Sequence, residues 1–103
     1  GLMWHMDADW KAVRDYTPWV KRAPSDYIRR HIRFGTQPIE EPPTPGDLDT
    51  LLRWMHADEI LMYASDFPHW DWDEPTGILP KLPEEMRRKV FVENARSFYR
   101  RGL

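Results

Sequence analysis

Six consecutive uncharged residues, Ile60-Leu61-Met62-Tyr63-Ala64-Ser65, run directly into an aspartate, Asp66. Apolar and polar side chains do not alternate along this run, so both of its faces are expected to be covered. A strand of that kind belongs to a parallel sheet flanked by helices. It needs a parallel neighbour reached through a crossover helix. Ile32-Arg33-Phe34-Gly35-Thr36-Gln37, closed by Pro38, supplies the neighbour, with Ile32, Phe34 and Thr36 on one side. Between the two strands lies the clearest helical signal in the chain. Thr44 reads as an N-cap, Pro45 as N1 and Asp47 as N3, and Leu48, Leu51, Leu52 and Met55 follow at i, i+3, i+4 and i+7. The four prolines and two glutamates between Pro38 and Pro45 read as a strand-to-helix loop, too short for a domain linker.

Helices are expected on either side of this unit. Trp4 to Trp19 carries a partial apolar stripe through Trp10 and Val13, ended or kinked by Pro18. Pro24 to Arg30 reads as a short helix with Tyr27 and Ile28 turned inward. Pro83, placed at N1 ahead of Glu84 and Glu85, opens a final helical region. Its apolar face is Met86, Val90, Phe91, Ala95, Phe98 and Tyr99, Asn94 divides it, and Gly102 is its C-cap. The predicted order is helix, helix, strand, loop, helix, strand, loop, helix. The fold class is α/β, mostly helical, and residues 1–103 are read as a single partial domain.

Composition narrows the function. A net charge of −2 offers no basic excess for a phosphate backbone, so nucleic acid is not an expected partner. Arg29, Arg30 and Arg33 read as a solvated helix face. The absence of cysteine excludes disulfides, thiolate zinc fingers and cysteine nucleophiles, and it fits a cytoplasmic placement. No apolar run approaches the ~18–20 residues of a membrane span, so no membrane partner is expected. Gly1 to Asp7 lacks the layout of a signal peptide, and without an initiator Met the chain is expected to start inside a longer protein.

The chemistry concentrates in Ser65-Asp66-Phe67-Pro68-His69-Trp70-Asp71-Trp72-Asp73, directly after the buried run. Functional groups in α/β architectures collect at the carboxyl ends of strands. A carboxylate fixed there can ligate a divalent ion or take up a proton from a water acidified by one. His69 can exchange a proton near neutral pH or ligate metal. Trp70 and Trp72 could wall an apolar pocket. The plainer alternatives are that Asp66 forms a turn and that the Trp-rich loop caps a core. Spacing alone leaves both alternatives open. His5, His31 and His56 read as structural or surface residues. The chain contains no His-x-His, no Gly-x-Gly-x-x-Gly and no Gly-x-Ser-x-Gly.

Met62 to Asp71 resembles the region after the eighth barrel strand of the amidohydrolase-related (amidohydrolase 2) family. Leu82 to Phe91 and Glu93-Asn94-Ala95-Arg96 resemble its closing helices, and Phe34 to Pro38 its seventh strand. The resemblance implies the C-terminal part of a (β/α)8 TIM barrel with a single divalent metal, commonly zinc. It implies hydrolysis of amide or ester-like bonds, or decarboxylation of a small carboxylic acid without redox change. Asp66 matches the family aspartate that contacts metal and helps activate water, and His69 matches a recurrent position beside it. The family's His-x-His and mid-barrel histidines have no counterpart here, so the chain is expected to be inactive alone. Its expected partners are a small-molecule substrate and either a second copy or the missing N-terminal barrel half. Two other readings stand beside this one. In the first, the chain is a Trp-rich binding or assembly module without catalysis. In the second, Asp66, His69, Asp71 and Asp73 form a local divalent-metal module favouring Ca²⁺ or Mn²⁺.

Overall fold

The computed structural model describes residues 1–39, 42–72, 74, 77 and 83–100. These fall into two units, Gly1–Arg33 and Phe34–Leu103.

In the first unit, helix α1 (Leu2–Val13) tightens into a 3₁₀ turn, Arg14–Tyr16, and the chain leaves the helix before Pro18, whose ring cannot continue it. Helix α2 (Pro24–His31) starts on proline at N1, where no backbone N–H needs a partner. The next open donor, the Ser25 N–H, donates to Asp7 Oδ1 of α1 at 2.9 Å. This bond caps α2 from outside and places a negative charge at its positive end. Hydrogen bonds from Ser25 hold the Asp7 carboxyl below the usual carboxylate range. Of the pair expected to turn inward, Ile28 is half-buried, but Tyr27 is exposed. Its hydroxyl accepts the Lys21 N–H at 3.3 Å, a surface bond that a buried ring could not make.

In the second unit, strand β1 (Phe34–Gly35) runs parallel to β2 (Leu61–Met62), with Phe34 opposite Leu61 and Gly35 opposite Met62. Helices α3 (Pro45–Trp54) and α4 (Ala57–Ile60) make the crossover. Helix α5 (Glu84–Arg88) passes through a π-helical turn, Lys89–Glu93, into α6 (Asn94–Arg100). The parallel order read from the sequence is therefore present, as a mostly helical assembly around a small two-stranded sheet.

The strands are shorter than the sequence suggests, and the reason is local. Ile60 belongs to α4, a helical turn set off by His56 in the left-handed conformation at φ 57°. Beyond Met62 the chain stays out of the ladder. Tyr63 donates its N–H to the Val90 carbonyl of the π turn at 3.0 Å. On the other strand, Ile32 and Arg33 precede the ladder and Thr36 follows it.

The core comprises Leu52, Ala57, Ile60, Leu61, Met86 and Val90. Leu48, Met55, Tyr63 and Phe91 pack against it, with the Tyr63 and Phe91 rings 4.8 Å apart. Leu51 of the expected stripe is exposed. Thr44 is the N-cap of α3 by position, without a side-chain cap bond. Pro83 sits at the N-cap of α5, one residue outside the expected N1. Asn94 does not break the last helix, because its backbone is α-helical. Its buried amide instead donates to the Leu61 carbonyl at 2.8 Å and ties α6 to β2. Lys89 and Asp58 add a half-buried ion pair at 3.1 Å between the π turn and α4. Glu40, Glu41, Leu82, Arg101 and the expected C-cap Gly102 lie outside the described residues. No helix among the described residues is long and apolar enough to cross a membrane.

Candidate functional site

Because β1 and β2 are parallel, their exits lie at the same end of the sheet, and the two following segments meet there. Thr36 is fully buried and spans the gap. Its N–H donates to the Met62 carbonyl at 3.0 Å. Its hydroxyl accepts the Ala64 N–H at 3.0 Å and donates to the Ala64 carbonyl at 3.2 Å. One residue on, the Gln37 amide donates to the Asp71 carbonyl.

From Ala64 the chain turns sharply. Asp66 adopts φ 57°, left-handed backbone that asparagine and aspartate tolerate better than most residues. The Phe67 N–H donates to Ser65 Oγ at 3.3 Å. Two successive turns follow, closed by the His69 N–H to the Asp66 carbonyl at 2.9 Å and the Trp72 N–H to the His69 carbonyl at 3.2 Å. The Phe67–Pro68 and Gln37–Pro38 peptides are both cis.

The first turn folds His69 back onto Asp66, leaving His69 Nδ1 3.3 Å from Asp66 Oδ2. Asp71 joins them, and one ligand atom from each of the three lies within 4.8 Å of the others. The cluster faces solvent, with the Asp66 and His69 side chains 46% and 67% exposed. The structure thus brings together both site residues read from the sequence, Asp66 and His69, and adds Asp71. Asp73 lies outside the described residues. The tryptophans do not wall a pocket as anticipated. Trp70 is 93% exposed, and Trp72 meets the Phe67 ring edge-on at 5.6 Å. A surface depression of about 270 Å³ lies elsewhere, lined by Arg53, Asp58, Pro83, Glu85, Met86 and Lys89. None of the three clustered residues belongs to it.

A model of a family described as amidohydrolase matches residues 1–101. The chain belongs to this amidohydrolase family. No curated protein matches it significantly. Divalent metals are typical of amidohydrolases, and the donor set can be tested against one. Two donors about 2.0–2.2 Å from one tetrahedral ion stand roughly 3.3–3.5 Å apart. The Asp66–His69 separation of 3.3 Å fits that spacing, and one imidazole nitrogen with two carboxylates suits zinc or a harder divalent ion.

Sequence reasoning missed Thr36, Gln37 and Asn94, which hold this end of the sheet. The period-2 reading put Thr36 on the same side as Ile32 and Phe34. Of the three, Thr36 is the buried residue, while the two apolar side chains are exposed. A polar residue at the close of a strand candidate was the available signal.

Proposed function

We propose that the chain is the C-terminal segment of a (β/α)8 barrel in a metal-dependent, cytoplasmic amidohydrolase. The enzyme acts on C–N or C–O bonds or decarboxylates a small carboxylic acid, and this segment alone is inactive. The observation that carries the reading is the Asp66–His69 pair, 3.3 Å apart at the exit of a parallel strand, where barrel enzymes place their chemistry. Asp66 and His69, with Asp71 beside them, would hold the divalent ion, for which zinc is the choice. When bound, the ion would polarise the scissile group and acidify a water. Asp66 takes up the proton released by the attacking water, and His69 orients that carboxylate or passes the proton on. The remaining ligands come from other strands of the barrel, since a catalytic zinc usually takes three protein ligands from a rigid scaffold.

In the barrel that contains this segment, Asp66→Asn is expected to lower turnover by about 10²–10⁴-fold. Unchanged turnover overturns the assignment. An immunoblot for the segment should show a band near the size of a full barrel. A sole band near 12.4 kDa overturns the partial-barrel reading. Elemental analysis of the dialysed chain should find almost no metal. One ion per chain, lost in Asp66→Ala, would favour the local metal module instead.

A second reading, an assembly module, is supported by the exposure of Trp4, Trp19, Trp54, Trp70 and Trp72. A strictly monomeric, folded species in sedimentation counts against it.

A further inference from the structure

We propose that Thr36 is a positioning residue for Asp66, its hydroxyl replacing the β1–β2 ladder where the ladder ends and fixing the backbone from which Asp66 turns. The proposal rests on the reading of Asp66 as a site residue.

The ladder closes after Gly35 and Met62, with the Thr36 N–H on the Met62 carbonyl. Ala64 then has no strand opposite to satisfy both its polar groups. A hydroxyl carries one donor and two acceptor sites, so a single side chain can serve both. Thr36 does so at 3.0 and 3.2 Å, from a fully buried position that holds its rotamer. The clamp sits two residues before Asp66. A left-handed aspartate persists only where its flanks over-determine it. The upstream flank is held by Thr36. The downstream flank is held by the His69 N–H on the Asp66 carbonyl and by Gln37 on the Asp71 carbonyl. Two adjacent residues at the exit of β1 therefore grip the Asp66 turn on both sides. Valine at position 36 would fill the same volume without donating or accepting.

The test compares Thr36→Val and Thr36→Ser in the 103-residue chain by NMR. In Thr36→Val, Ala64 amide exchange is expected to rise by about tenfold or more, the effect of one lost hydrogen bond. The Asp66 Cα shift should move while the Leu52 and Val90 methyl shifts stay in place. Thr36→Ser should restore both the exchange rate and the Cα shift. In a Zn²⁺ titration followed at Asp66 and His69, Thr36→Val should weaken binding by about 10–100-fold, as expected when the support behind a ligand is removed. An unmoved Asp66 Cα shift in Thr36→Val overturns the proposal. So does a Thr36→Ser variant that behaves like the valine, or core methyls that move together with Asp66. If the valine variant does not fold, wild-type Ala64 exchanging as fast as free loop amides overturns it. Unchanged Zn²⁺ affinity in Asp66→Asn overturns the functional reading of Asp66 alone, because the Cα shift decides the Thr36 proposal separately.

Discussion

The two units are built from similar helices but held by different means. Gly1–Arg33 contains no buried residue, and it carries seven Lys and Arg against four Asp and Glu. Phe34–Leu103 has six buried apolar side chains among its described residues, and it carries eight basic against thirteen acidic residues. The first unit depends on helix geometry and one borrowed cap, whereas the second depends on removing apolar surface from water. An apolar face alone does not secure a helix. Leu2, Trp4, Met6, Val13, Tyr16 and Trp19 are all exposed, so they contribute little burial to the first unit.

The contrast breaks most visibly in the core. Ile60→Ala is expected to destabilise the second unit by about 2–5 kcal/mol, while Tyr16→Ala, at a side chain 83% exposed, should change stability by no more than about 0.5 kcal/mol. Urea midpoints followed at residues of each unit check both values, and equal shifts would erase the distinction. A smaller effect is expected at Asn94. Asn94→Ala removes the amide that caps the Leu61 carbonyl and should cost about 1–3 kcal/mol, read as faster exchange of β2 amides.

The smallest effect belongs to the first unit and depends on pH. The Asp7 carboxyl is held below its ordinary value of 3.8 by Ser25, so its contribution is fully present above that value and is lost as pH falls through the lower folded one. Helicity of α2 should therefore decline below about pH 4. Asp7→Asn should remove that acid step and leave the second unit unaffected. An acid step that persists in the variant would mean that another carboxylate holds α2.

Several features were legible because their cause is local. Pro24 and Pro45 mark helix starts because their missing N–H is harmless only there. The uncharged run into Asp66 indicated a parallel strand, and the loop after it held the residues that cluster. Features set by distant partners were hidden. The length of β2 depends on Tyr63 finding a helix carbonyl and Ala64 a threonine hydroxyl, and neither can be read from residues 60–66. Helix α4 is a single turn started by a left-handed His56, with no glycine to announce it. The approach of Asp71 follows from two turns in series, and an aspartate in a Trp-rich loop reads equally well as solvated.

The π turn in the last helix limits how this protein can change in length. Met86, Val90 and Asn94 are buried and spaced by four residues, whereas a regular α-helix makes one turn in 3.6, so its buried line would drift by about 40° at each step. The wider turn at Lys89–Glu93 absorbs that drift. Removing one residue there would restore a regular helix but rotate everything after it by about 100°. The Asn94 amide would swing off the Leu61 carbonyl, and the strand leading to Asp66 would lose its tie to α6. This segment can exchange side chains far more readily than it can gain or lose a residue.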